Sequence, residues 1–187
     1  MKIAKYAQLS AGALSGIAAF GLAACSGMPL EPLPRAESLD LSKFMGQWYV
    51  IAQIAPSSVG DSYNGEEQYA LTADDEIDTL YSYRKGGFDG KLKKSNTTGF
   101  VVDGTGNAEW GMQIFWPLKL EYVVSYVDAD YQTTIIARSK RDYVWLMSRT
   151  PQINDVQYAE MVERIKSLGY DTLNLRKEPQ QTLSDRK

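Results

Sequence analysis

The stretch Gly46-Gln47-Trp48-Tyr49-Val50-Ile51-Ala52-Gln53-Ile54 opens a part of the chain, residues 46–147, in which short β-type segments follow one another. The first strand is predicted over Trp48 to Ile54, where β-branched and aromatic residues dominate. Seven further segments share this texture. They are Glu67 to Thr72, Ile77 to Arg84, Lys91 to Val102, Ala108 to Phe115, Glu121 to Val127, Thr133 to Arg138 and Tyr143 to Met147.

Turn-forming residues separate these segments, as in Lys85-Gly86-Gly87 and Asp103-Gly104-Thr105-Gly106. Eight short strands joined mostly by tight turns predict an all-β, antiparallel, up-and-down arrangement. Eight such strands can close into a barrel, which removes both exposed edges and leaves room for one small ligand. An open sandwich fits the same spacing, so the strand pattern alone leaves both architectures open.

One α-helix is predicted after the strands. Asn154 can cap its N-terminus with Gln157 three residues later, and Gly169 can end it. Apolar residues recur at helical spacing between these points, so one helix face must pack on the outside of the sheet. A last short strand is predicted over Thr172 to Arg176, and residues 178–187 are predicted to be a polar, disordered tail.

Residues 1–24 have the three parts of an export signal: a start with two lysines, an apolar run and small residues at the end. The tetrapeptide Leu22-Ala23-Ala24-Cys25 resembles the cleavage site of a bacterial lipoprotein. This resemblance implies a mature chain that begins at Cys25, with diacylglycerol on the cysteine sulfur. Ser26, where Asp would favour retention at the inner membrane, implies an outer-membrane location, lipid-anchored and facing the periplasm. An ordinary secretory signal followed by a chance cysteine is the alternative.

Residues 25–38 include Pro29, Pro32 and Pro34, which disfavour helix and interior strand. We predict an extended tether here, and a structured arm packed on the domain is the alternative. The domain itself is predicted over residues 39–177.

Composition excludes several classes of function. The 187 residues contain no histidine, so Ser-His and Cys-His catalysis is absent, and a single cysteine allows no intramolecular disulfide. Without Lys2 and Lys5 of the signal, 18 Lys and Arg face 23 Asp and Glu, a formal charge of −5 that disfavours nucleic-acid binding. We expect no enzyme, metal site or cofactor. An isomerase or hydrolase acting on a lipid-like molecule is a weaker alternative.

Three short motifs occur in the order typical of lipocalins. Gly46-x-Trp48 opens the first strand, with a helical turn predicted just before it over Leu41 to Met45. Asp130-Tyr131 lies between the sixth and seventh strands, with Ala129 where the family usually has Thr, and Arg149 ends the eighth. The chain therefore resembles the lipocalin family over about residues 39–177. The stretch from Arg141 to Pro151 most resembles the bacterial branch of outer-membrane lipoproteins.

The resemblance implies that Trp48 lies across the barrel floor with Arg149 stacked on it, and that Gly46 allows a close backbone approach. Asp130 is expected to be a turn residue whose side chain bonds nearby amides. If Trp48 and Arg149 share the floor, alternation assigns the inner faces of the first and eighth strands. On the third strand, Tyr81 and Tyr83 compete with Leu80 and Ser82 for the interior. The predicted ligand contacts are Val50, Ala52, Ile54, Tyr81, Tyr83, Tyr122, Val124, Tyr143, Trp145 and Met147, although core packing fits the aromatic members equally well.

A pocket of this composition suits an acyl chain, and Lys91, Lys93 and Lys94 are candidate partners for an anionic headgroup, or else a solvated rim. By resemblance, the ligand would be a fatty acid or lysophospholipid, carried or stored for maintenance of the envelope. The alternative function is a structural or stress-response envelope lipoprotein that contacts another protein and has no ligand cavity. A homodimer is also possible.

Overall fold

The computed structural model describes residues 31–56, 59 and 61–186. The predicted signal and the predicted lipidation site at Cys25 lie outside these residues. The strands are β1 (Gly46–Ile54), β2 (Ser62–Leu71), β3 (Ile77–Lys85), β4 (Lys91–Val101), β5 (Glu109–Phe115), β6 (Leu118–Val127), β7 (Thr133–Ala137), β8 (Val144–Ser148) and β9 (Arg176–Lys177), and the helices are α1 (Leu41–Phe44) and α2 (Asp155–Ser167). Within the described chain, no helix is both long and apolar enough to cross a membrane.

Strands β1 to β8 form a closed antiparallel barrel. Each strand pairs with its neighbour in sequence, and β8 pairs back with β1. The predicted up-and-down barrel is confirmed, and the open sandwich is excluded. The main difference in strand bounds is β2, which begins at Ser62 instead of Glu67.

The barrel has two different ends. One end, which we call the floor, carries α1 just before β1 and the β2–β3, β4–β5 and β6–β7 connections. The opposite end, the mouth, carries the β1–β2, β3–β4, β5–β6 and β7–β8 connections. This alternation follows directly from the up-and-down topology.

Helix α2 packs on the outside of the barrel, as predicted. Asn154 accepts a hydrogen bond from the Gln157 amide at 2.9 Å, and Gly169 after the last turn has a φ of +90°, a conformation that favours glycine. Met161 and Ile165 join a buried outer cluster with residues of β1, β7 and β8. A separate buried cluster fills the inside of the barrel.

Residues 31–38, the arm, run along the outside of the barrel from mouth to floor. Arg141 Nη2 in the β7–β8 connection donates to the Glu31 carbonyl at 2.7 Å, and the Ala36 amide donates to the Val124 carbonyl at 2.9 Å. The tether prediction is therefore wrong for this part, and the alternative of a packed arm holds. The prolines prevent a helix but leave an extended backbone that can pair beside a strand.

The C-terminal segment also packs on the barrel. The predicted last strand is instead a 3-10 turn, Thr172–Asn174, followed by the two-residue strand β9, which pairs with β1. The predicted disorder of the polar tail is wrong for residues 178–186, because Glu178 is only 3% exposed and a second 3-10 turn spans Leu183–Asp185. Polarity predicts disorder only where polar groups find no partners, and these groups find partners in the barrel wall.

Candidate functional site

Trp48 and Arg149 seal the floor of the barrel. The Arg149 guanidinium carbon lies 3.8 Å from the Trp48 ring centroid, a cation–π contact. Its N–H groups also donate to backbone carbonyls at 2.7–3.2 Å, and Trp48 Nε1 donates to the Phe44 carbonyl at 2.8 Å. Partial burial lowers the pKa of Arg149 to about 10, so it remains charged at neutral pH. The carbonyls that Arg149 contacts belong to Lys43, Phe44, Met45, Gln47 and Tyr131.

Gly46 and Tyr131 lie beside this contact. Gly46 has a φ of +93°, in the region that favours glycine, and a Cβ at this position would lie 3.5 Å from Arg149 Nη1. The Tyr131 hydroxyl accepts a hydrogen bond from the Asp40 amide at 2.9 Å and ties the β6–β7 connection to α1. Both residues thus hold the floor together.

The prediction that Asp130 bonds nearby backbone amides through its side chain is wrong. Its side chain is exposed, and the carboxylate that caps this turn belongs to Asp128, which accepts from the Gln132 amide at 2.7 Å. The sequence Asp128-Ala129-Asp130 offers two carboxylates for one role, and local composition does not distinguish them.

Aromatic side chains occupy the lower half of the barrel interior. Trp110 and Tyr122 stack with ring centroids 5.1 Å apart and nearly parallel planes, 5° between them. The carboxylate of Glu67, which is 4% exposed, accepts hydrogen bonds from the Tyr69 and Tyr122 hydroxyls. Burial raises the pKa of Glu67 well above its ordinary value of 4.5. The aromatic cluster comprises Phe44, Trp48, Tyr69, Trp110 and Tyr122.

A second group of aromatic residues, which we call the aromatic wall, lies closer to the mouth. Tyr81 and Tyr83 of β3 stack at 5.2 Å, Trp145 of β8 lies 5.0 Å from Tyr81, and Tyr143 lies 5.1 Å from Trp145. The barrel interior thus brings these four predicted ligand residues together, two from β3, one from β8 and one from the position just before β8. Val50, Tyr122, Val124 and Met147 belong to the same inner cluster. Contact with a ligand stays a prediction for all eight.

The prediction is wrong for Ala52 and Ile54, which lie in the outer cluster. A β-bulge shifts the register of β1 against β8 between Val50 and Ala52. Strict alternation from Trp48 misses such a bulge and assigns the following residues to the wrong face. Gln53 takes the inner position instead, 2% exposed, and its Oε1 accepts from Trp145 Nε1 at 3.1 Å.

At the mouth, side chains that face inward are accessible. Lys93 is the cross-strand partner of Tyr83, and Ser95 is the partner of Tyr81, so each pair lies on one face of the sheet. Lys93 and Ser95 are both exposed, and Leu118, on the inner side of β6, is 42% exposed. The barrel is therefore open at the mouth, and we call this opening the cup. Tyr83 and Tyr143 of the aromatic wall are partly exposed in it, whereas Tyr81 and Trp145 are buried.

The wall of the cup has a seam. Strands β1 and β2 pair only near the floor, at Gly46–Tyr49 with Glu66–Tyr69. Toward the mouth the two strands diverge, and β9 pairs with β1 there while the Asn64 amide of β2 donates to the Pro179 carbonyl at 2.9 Å. The C-terminal segment therefore completes the barrel wall.

Glu178 is the central residue of this seam. Its backbone amide donates to the Ile51 carbonyl of β1 at 2.8 Å, and its carboxylate accepts from the Gly65 amide at 3.0 Å and the Ser62 hydroxyl at 2.7 Å, both on β2. Arg176 forms an ion pair with it at 2.9 Å. Burial raises the pKa of Glu178, and these partners partly offset that effect. Sequence reasoning missed Gln53 because strict alternation from Trp48 assigns it to the outer face, and it missed Glu178 because that residue lies in no motif or periodic pattern.

A closed eight-stranded barrel with a sealed floor, an open mouth and one external helix defines the class of small up-and-down β-barrels, whose interior is filled by side chains or holds one small ligand. The family model described as "Lipocalin-like domain" matches residues 39–180. The chain belongs to the lipocalin family.

Named relatives agree with this assignment. Temperature-induced lipocalin-1 of Arabidopsis thaliana is 32% identical over 158 residues, covering 77% of this chain and 81% of the relative. Outer membrane lipoprotein Blc of Vibrio cholerae is 27% identical over 155 residues, covering 81% and 88%. The Escherichia coli K12 protein of the same name is 27% identical over 158 residues, covering 82% and 87%. The similarity to these lipoproteins supports the bacterial lipocalin branch.

Solved structures share the fold. Insecticyanin from the tobacco hornworm superposes with a TM-score of 0.63 at 13% identity, covering 83% of this chain and 88% of that one. The cockroach allergen Per a 4 gives a TM-score of 0.60 at 18% identity, covering 79% and 92%. At these identities the likeness extends to the fold alone.

Proposed function

We propose that this protein is a carrier or store for a single-chain lipid, a fatty acid or lysophospholipid, held in the upper half of the barrel. The activity is binding and release, without a covalent step. The supporting observation is the open mouth: the inward-facing Lys93, Ser95 and Leu118 are exposed there and Tyr83 and Tyr143 are partly exposed, while Trp48 and Arg149 close the floor. Burial of each methylene of an acyl chain in such a site releases about 0.8 kcal/mol.

The charges of the interior favour one orientation of the ligand. Lys93 lies on the inner side at the mouth, whereas Glu67 at the bottom offers an anionic headgroup no positive charge in either protonation state. An anionic lipid would therefore enter with its acyl chain toward the aromatic cluster and its headgroup near Lys93. Lys91, on the same face of β4, lies two residues closer to the end of the strand at the mouth. Accessible lysine at the rim can neutralise a carboxylate or phosphate without a large desolvation cost.

We place this carrier at the outer membrane, anchored through a lipid on Cys25 and facing the periplasm. The support is the tetrapeptide Leu22-Ala23-Ala24-Cys25 and the similarity to relatives named outer membrane lipoprotein. The anchor would keep the cup near the lipids that it exchanges for maintenance of the envelope.

A pair of neighbouring lysines tests the ligand site. Lys93 and Lys94 follow each other on β4, and alternation places them on opposite faces of the barrel wall. Displacement of a fluorescent fatty acid should show a loss of at least about fivefold in affinity for Lys93→Glu, since one attraction becomes a repulsion. Lys94→Glu is the matched control and should retain the affinity of the unaltered protein.

Native mass spectrometry of the purified protein gives the second readout, the mass of any retained lipid. No retained lipid together with no displacement of the fluorescent fatty acid would refute the carrier function. A structural lipoprotein that contacts another protein would then be the better description.

A further inference from the structure

The β5–β6 connection projects apolar side chains into solvent at the mouth. Phe115 is 64% exposed and Trp116 is 82% exposed, and Pro117 completes this surface, which we call the tip. Large apolar side chains exposed side by side mark a surface that contacts something else. The other three tryptophans, Trp48, Trp110 and Trp145, are at most 4% exposed.

Basic side chains lie at the same end of the barrel as the tip. Lys119 lies two residues after the tip on β6, with Nζ 3.3 Å from the Phe100 ring centroid on the outer face. Lys94 is exposed on the outer face of β4. The mouthward strand ends carry Lys85, Lys91, Lys93, Lys94 and Lys119, and the mouth connections add Arg138, Lys140 and Arg141. Their acidic residues are Asp61, Asp89, Glu121 and Asp142, half as many as the basic ones.

The floor has the opposite charge. Its three strand connections, residues 72–76, 102–108 and 128–132, contain six acidic residues and no lysine or arginine. The acidic residues are Asp74, Asp75, Glu76, Asp103, Asp128 and Asp130. The molecule is therefore electrically polar: a chain of net charge −3 presents a basic mouth around an apolar tip. Such a face is complementary to an anionic lipid surface.

The arm leads to this same end. Its described part begins at Glu31, whose carbonyl is bonded to Arg141 in the β7–β8 connection of the mouth. Glu31 is six positions after Cys25, a reach of at most about 20 Å. An anchor on Cys25 would thus hold the mouth toward the membrane, and this one point rests on the proposed anchoring.

We infer that the mouth of the barrel docks on an anionic lipid bilayer, with the tip inserted between headgroups and the surrounding lysines on lipid phosphates. The opening of the cup then faces the surface from which a single-chain lipid would enter or leave. Docking needs no lipid on Cys25, because the tip and the lysines belong to the barrel itself.

Vesicle binding of the chain from Ser26 to Lys187 tests this inference. This form lacks the cysteine and keeps every residue that the structure describes. We expect it to co-sediment with vesicles of phosphatidylglycerol and phosphatidylethanolamine, less so at high salt, and weakly with phosphatidylcholine alone. Because Trp116 is the one exposed tryptophan, its emission should shift to the blue and be quenched by lipids brominated in the acyl chain.

Two pairs of substitutions separate the contribution of the apolar tip to vesicle binding from that of the lysines. Phe115→Ser with Trp116→Ser, and Lys94→Glu with Lys119→Glu, should each lower vesicle partitioning by at least about tenfold. The matched controls lie at the floor end: Val156→Ser, at an apolar residue that is 71% exposed at the start of α2, and Lys43→Glu on α1. Both should bind vesicles like the unaltered protein, and thermal melting checks the folding of every variant.

Three results would overturn the inference. One is no binding by the unaltered form, the second is full binding by the tip variant, and the third is a loss of binding in the floor variants. A concentration-dependent dimer that the tip variant abolishes, without vesicle binding, would assign the tip to self-association. Fatty-acid titration without vesicles tests the ligand site separately, so docking and lipid carriage can fail independently.

Discussion

Arg149 stabilises the floor because one planar guanidinium both covers the Trp48 ring and satisfies several backbone carbonyls. Arg149→Ala leaves these carbonyls without their donor and removes the cation–π contact. We expect the free energy of unfolding in urea to fall by about 3 kcal/mol. Arg149→Lys keeps the charge but loses the planar, forked guanidinium. Its free energy of unfolding should lie between those of the unaltered protein and Arg149→Ala. A loss below about 0.5 kcal/mol, typical of surface changes, would contradict this role.

Glu67 makes the stability of the barrel depend on pH. Its pKa is raised in the folded protein, so the folded state holds a proton that the unfolded chain releases above about pH 4.5. This contribution is fully present below pH 4.5 and is lost as the pH rises through the folded pKa. Glu67→Gln should therefore be more stable than the unaltered protein at pH 8, with the difference shrinking toward pH 4.5.

Urea midpoints measured between pH 4.5 and 8 check this prediction. Glu67→Ala separates titration from packing, because it leaves a cavity beside Tyr69 and Tyr122 and should lose stability at every pH. Parallel profiles for the unaltered protein and Glu67→Gln would show that Glu67 does not titrate as its burial requires.

At the level of single residues, sequence reasoning works where one contact decides the position. Gly46, Trp48 and Arg149 are correctly predicted as floor residues, because few other residue types can adopt a positive φ or form this cation–π contact. Ala52 and Ile54 fail because their assignment depends on counting from Trp48, and one bulge reverses the count. A bulge of this kind has no local signature in Val50-Ile51-Ala52.

The C-terminal segment is the element that completes the barrel wall. Ending the chain after Lys177 removes Glu178 and Pro179, and with them the bonds to Ile51 and Asn64. We expect faster amide hydrogen exchange in residues 51–54 of β1 and 62–65 of β2, with little change in the floor pairing. The reason is that only the mouthward halves of these strands depend on the segment.

Leu183→Ser is a control in the same segment, since Leu183 is 61% exposed and should not alter exchange. Hydrogen exchange that rises uniformly across the barrel, or not at all, would contradict a local role for the segment as the seam.

Among the elements, the strands and α2 are predictable because each carries its own signal: β-rich composition between turn residues, or helical spacing between caps. The arm and the C-terminal segment lack such signals. Both are held by backbone groups of distant strands, as in the bonds of Ala36 to Val124 and of Glu178 to Ile51. Their prolines and polar side chains suggest flexibility, and only the closed barrel supplies the partners that order them.

At the scale of the whole molecule, the closed barrel follows from eight strands and three motifs, whereas the separation of charge between mouth and floor does not. Net charge conceals it, because acidic and basic residues alternate along the chain and are separated only when the connections are sorted by barrel end. The depth of the cup is hidden in the same way. It is set by where the aromatic residues of several strands meet.

The binding of saturated fatty acids of increasing length tests the central claim, an acyl site in the upper half of the barrel above a filled lower half. Affinity measured by displacement of a fluorescent fatty acid should rise about fourfold per added methylene, since each contributes about 0.8 kcal/mol. The rise should then stop once the chain reaches the aromatic cluster around Trp110 and Tyr122. Saturable binding with such a plateau is the predicted result, and the absence of saturable binding at every chain length would contradict the account.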